Sequence, residues 1–91
     1  MKSIALNRIS NFREPIKCVA LETAITTAVK RSNRNCEPFV GVFVERSAPK
    51  SPGEANWAVK GVKFGKAERE QCNAVLSVIV ERLKREFEIS D

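Results

Sequence analysis

The sequence predicts an α+β domain in which a two-stranded antiparallel hairpin with a long loop lies between two helices. Three observations carry this expectation. Residues 39–46 (FVGVFVER) and 57–64 (WAVKGVKF) are rich in aromatic and β-branched side chains, the composition of strands. A polar segment containing Pro49, Pro52 and Gly53 divides them. On either side, apolar residues recur at three- and four-residue steps, the period of a helix. The expected order is αββα, which becomes βαββα if residues 3–8 form a strand. Ile4 and Leu6 alternate with Ser3, Ala5 and Asn7 as a strand would, but residues 1–10 read equally well as a loose arm.

The first helix is expected to begin near Glu14-Pro15, because proline is tolerated in a first turn whose N–H groups have no intrahelical partner. Asn11 and Glu14 stand at capping-box spacing and allow an earlier start. Cys18, Leu21, Ile25, Ala28 and Val29 mark its buried stripe, and Lys30 and Arg31 suit the negative end of the helix dipole. Ser32-Asn33-Arg34-Asn35 should end it, with an asparagine in the left-handed conformation.

In the first strand Val40, Val42 and Val44 are expected on one face, and Phe39, Gly41, Phe43 and Glu45 on the other. Both faces are apolar, so both should be covered. In the second strand Trp57, Val59, Gly61 and Lys63 alternate with Ala58, Lys60, Val62 and Phe64, which puts Lys60 and Lys63 on opposite faces. Gly41 and Gly61 mark bulges or a close backbone approach. The connection over 47–56 is long for a hairpin and offers little chemistry. Gly65 is the expected N-cap of the last helix, with Glu68 and Glu70 in an acidic first turn. That helix should run to about Phe87. Cys72, Val75, Leu76, Ile79, Val80, Leu83 and Phe87 form its apolar face, and Glu81 and Arg85 are spaced for an i,i+4 ion pair.

Ninety-one residues provide apolar surface for one core, so residues 1–91 are expected to be a single domain. No apolar run approaches the roughly 18 residues of a membrane span. The opening residues lack a signal-peptide core, so a cytoplasmic location without membrane association is expected. Cys18, Cys36 and Cys72 are an odd, widely spaced set, read as buried thiols of a reducing compartment. With no Cys-x-x-Cys and no histidine, neither a metal site nor a cofactor is expected.

The absence of histidine also removes the commonest general base and the Ser-His-Asp and Cys-His constellations. Cys36, beside Arg34, is the one candidate for a reactive thiol. No catalytic residue is assigned and no enzyme is expected.

Net charge is +5, with twelve Lys/Arg against five Asp/Glu over residues 1–66 and four against six thereafter. Basic charge in the first two-thirds admits an acidic partner or nucleic acid. Arg46, Lys50, Lys60, Lys63 and Lys66 are the candidate nucleic-acid or anion contacts, Lys63 and Lys66 flanking the start of the last helix. The competing expectation is that these lysines protect a strand edge and that the aromatics are core.

A hairpin with apolar faces and open edges needs cover, and a second copy of the chain supplies it most simply. Val42, Val44, Trp57, Val59, Leu76, Ile79 and Leu83 are therefore candidates for a dimer surface or the core. The function expected is that of a small non-enzymatic binding or regulatory protein acting through protein–protein association, as a homodimer and with an unidentified protein partner. A nucleic-acid-binding protein using the basic hairpin surface is the alternative.

Overall fold

A computed structural model describes residues 13–90. The arm or strand expected over residues 1–10 lies outside the described residues. In chain order the elements are β1 (Glu14–Ile16), α1 (Cys18–Ser32), a 3-10 turn (Arg34–Cys36), β2 (Gly41–Arg46), β3 (Trp57–Lys63), α2 (Arg69–Glu86) and β4 (Phe87–Ile89). The hairpin between two helices, and with it the α+β class, is as expected. The two short end strands are additions to it.

β1 occupies the stretch where the first helix was expected to begin. It pairs in parallel with β4, Glu14 opposite Phe87 and Ile16 opposite Ile89, and the Ser90 N–H donates to Ile16 O at 2.9 Å. Pro15 is compatible with this because, among the described residues, one edge of β1 has no ladder hydrogen bonds. α1 therefore starts at Cys18, behind an extended Lys17 that offers no side-chain cap. It ends at Ser32 with Asn33 extended at φ −164°, not in the left-handed conformation expected there.

β2 and β3 are antiparallel, but their register shifts: Phe43 faces Gly61, and Val44 faces Val59. Lys60 is the extra residue of this bulge. A bulge re-aims the side chains beside it, with consequences at the surface described below.

α2 begins three residues later than a Gly65 cap would place it. Its cap is Glu68, whose side chain accepts the Gln71 N–H at 2.8 Å. Gly65 instead turns the chain at φ +60°, a conformation costly for other residues. The helix is eighteen residues, about 27 Å, long. Its exposed ion pair is Arg82–Glu86 at 3.9 Å, and not Glu81–Arg85.

The core is one cluster. Leu21, Ile25 and Val29 of α1 meet Val42 and Val44 of β2, Trp57 of β3, and Cys72, Leu76, Ile79 and Leu83 of α2. Thus the candidate dimer or core residues Val42, Val44, Trp57, Leu76, Ile79 and Leu83 belong to the chain's own core, and Val59 packs half-buried against it. Just before β2 the alternation slips, so that Phe39 turns inward and Val40 outward. Trp57 is 1% exposed and donates its indole N–H to Phe87 O at 3.1 Å, which ties hairpin to β4. Asn56 adds two bonds at the same junction, donating to Ile89 O and accepting the Ile89 N–H.

Cys36 and Cys72 are joined by a disulfide, which corrects the expectation of buried thiols for this pair. Both are fully buried, and the bond fastens the 3-10 turn to the first turns of α2. Asn35 braces the same joint, its O accepting the Glu68 N–H and its side chain donating to Gln71 Oε1 at 2.7 Å. Cys18 keeps its thiol, which donates to Val44 O at 3.3 Å.

Candidate surface for association

The outer face of the hairpin was expected to be covered, since it is apolar. Within the described residues it is open. Phe43 is 49% exposed, and its ring lies beside Gly61, where an added Cβ would meet it at 3.5 Å. A Cβ at Gly41 would meet Thr26 at a similarly ordinary distance, so neither glycine is required by crowding.

α1 runs antiparallel to β2 and borders this face. Glu22 accepts the Val44 N–H at 2.8 Å, Cys18 reaches the Val44 carbonyl, and Lys30 at the other end donates to Phe39 O at 3.0 Å. These bonds satisfy the outer edge of β2 at Val44 with side chains of the helix. They also set Thr23, Thr26 and Thr27 along Gly41 and Phe43, forming a shallow groove of about 380 Å³. Val19 stands one helical turn before Thr23, outside the lining of the groove, and is 70% exposed. Val40, 59% exposed, lies at the opposite end.

The bulge overturns the expectation that Lys60 and Lys63 oppose each other. Lys63 Nζ stands 5.6 Å from the centroid of the Phe43 ring, a cation–π distance. Lys60 Nζ lies 3.8 Å from Glu45 Oε1. Phe43 and Glu45 are two residues apart on one strand and share a side, so both lysines come to that side. Ordinary alternation would separate residues three apart, and the extra residue at Lys60 brings them together. Gly61 was the only hint of this in the sequence.

The other basic candidates do not join them. Lys66 is exposed in the turn before α2, and Arg46 stands at the far end of β2. Lys50 belongs to a separate cleft beneath the 47–56 connection. The start of α2, expected as a possible anion site, is occupied by the chain's own Glu68 carboxylate. Cys36, the candidate reactive thiol, is in the disulfide. No group of His, Cys, Asp and Glu suited to a metal ion occurs among the described residues, and no helix there is long and apolar enough to cross a membrane.

No family model, curated protein or solved structure matches this chain.

Proposed function

We propose that this chain is a non-enzymatic binding module whose work is done by self-association, two copies meeting through the outer face between α1 and the hairpin. The observation that supports this is a concentration of exposed apolar surface. Val40 and Phe43 are two of the four large apolar side chains that stand exposed among the described residues, and both line one groove. Scattered exposed apolar residues are ordinary, but a contiguous patch of them favours a contact.

Charge favours a second copy as the occupant. Lys60 and Lys63 share this face with Glu45, and Glu22 lines the groove, so both signs surround an apolar centre. A two-fold interface must be complementary to itself, which such a mixture allows. A polyanion requires one sign. The exposed Phe43 between two lysines supports the nucleic-acid alternative, and the two carboxylates weigh against it.

Light scattering at micromolar concentration tests the proposal. A mass near twice 10.2 kDa is expected for the parent protein and a mass near 10.2 kDa for Phe43→Glu. A monomeric parent, or a dimer indifferent to Phe43→Glu, overturns it. Salt-sensitive binding of generic DNA, lost in Lys60→Glu/Lys63→Glu, supports the alternative instead.

We also propose a cytoplasmic location. The Cys36–Cys72 bond weighs against it, because structural disulfides persist mainly in oxidising surroundings. Trapping cellular thiols with an alkylating reagent before lysis reads the redox state of the pair.

A further inference from the structure

On the other side of the hairpin, the 47–56 connection, β1's approach and α2 enclose a cleft of about 530 Å³, within the range of small-molecule sites. Its charged lining is unequal. Among the described residues, Arg13, Lys50, Lys84 and Arg85 face Glu54 and Glu81, an excess of two positive charges. We propose that this cleft binds a compact anion carrying linked phosphates.

Part of the lining is fixed in advance. The Arg13 guanidinium donates to Gly53 O in the connection and to Lys84 O on α2, so one side chain holds both walls. Lys84 Nζ is 5.8 Å from the Trp57 ring centroid, which positions its ammonium above the floor. Glu54 accepts the Lys50 backbone N–H at 2.8 Å, which holds the connection in a turn and engages that carboxylate. Lys50 and Arg85 are exposed and form no ion pair within the described residues, and Glu81 does not pair with Arg85. Ala48, Ala55, Ala58 and Gly53 intrude little on the space.

Cations from separate segments around a cavity larger than one phosphate suit a chain of phosphates. Arginine supplies fork-like contacts, and lysine supplies point charges. Among the described residues the cleft has no stacking platform, since Trp57 is buried and its indole N–H is engaged with Phe87 O. The phosphates are therefore the recognised part, whether they come from a nucleotide or from an inorganic oligophosphate.

Calorimetric titration with sodium tripolyphosphate and, separately, with ATP at low ionic strength tests this. The emission of Trp57, the chain's only tryptophan, serves as a second readout. Both probes are expected to bind saturably with affinities within a few-fold of each other. Lys50→Gln and Arg85→Gln should each weaken binding by about tenfold, as expected for loss of one charge-assisted contact. Glu81→Gln should tighten it, and Arg69→Gln, twelve residues before Glu81 on α2 and outside the cleft, should leave it unchanged. Absence of saturable binding overturns the proposal. So does equal weakening by Arg69→Gln, which marks diffuse attraction to a basic protein, or a strong preference for ATP, which marks recognition of the base. Circular dichroism of each variant confirms that a loss is not one of folding.

Discussion

Replacing Cys36 and Cys72 together by alanine removes the bond that closes the middle of the chain on itself. The cysteines are 36 residues apart, and the bridge spans two fully buried positions at the joint between the 3-10 turn and α2. Restricting an unfolded chain over a loop of this length removes about 13 cal/mol/K of entropy, which corresponds to about 4 kcal/mol of stability near room temperature. A domain of 91 residues has about 5–14 kcal/mol in total, so the loss is between a quarter and most of it. At about 4–8 °C per kcal/mol for this size, the melting temperature should fall by about 15–30 °C. Urea denaturation followed by circular dichroism measures the difference directly, and parent protein unfolded with a reductant should lose the same amount. Asn35 should still hold its bonds to Glu68 and Gln71 in the variant, so the folded structure is expected to persist at low temperature. A variant within about 1 kcal/mol of the parent refutes the reasoning. The bond itself is checked by alkylating denatured protein: one cysteine should react without reductant, and all three with it.

Gly65→Ala should destabilise by about 1–3 kcal/mol, because alanine pays for positive φ and its Cβ would stand 2.6 Å from Val40 Cγ2. Gly65→Ala/Val40→Ala should recover the part due to the clash, which thermal melts of both variants will separate. Asn56→Ala leaves the Ile89 N–H and carbonyl without their partners and should cost about 2–3 kcal/mol in urea titrations. Hydrogen exchange in that variant should quicken first in β4. Glu68→Ala removes the cap of α2 and should cost about 1 kcal/mol, with most of it regained in Glu68→Asp.

The hairpin and both long helices were legible because their signals are local. Alternation along residues 41–46 and the three- and four-residue steps of Leu21, Ile25 and Val29, or Cys72, Leu76, Ile79 and Leu83, report buried faces wherever the chain folds. β1 and β4 were not legible, since three residues carry no measurable period and their partners lie at opposite ends of the described chain. Pro15 reads naturally as a helix start, and only its neighbour Phe87-Glu88-Ile89 makes it a strand. The disulfide was hidden by an odd number of cysteines, which gives no clue to which two meet. The shared face of Lys60 and Lys63 follows from one extra residue, and strict alternation predicts the reverse. The phosphate cleft draws Arg13, Lys50, Lys84 and Arg85 from three distant segments, so no window along the sequence contains it.

The parallel pairing of β1 with β4 has a mechanical consequence. A force applied to the two ends of the described chain pulls the strands past each other lengthwise, loading their hydrogen bonds in shear. An antiparallel end pair would open like a zipper, one bond at a time. Here the bonds of the strand pair, including Ser90 N–H to Ile16 O, must yield together before α2 can be drawn out. The Trp57 and Asn56 bonds to Phe87 and Ile89 hold β4 to the hairpin and add to the same resistance. Small as it is, this clasp sets the ladder bonds of β1 and β4 across the line of pull when the described chain is held by its two ends.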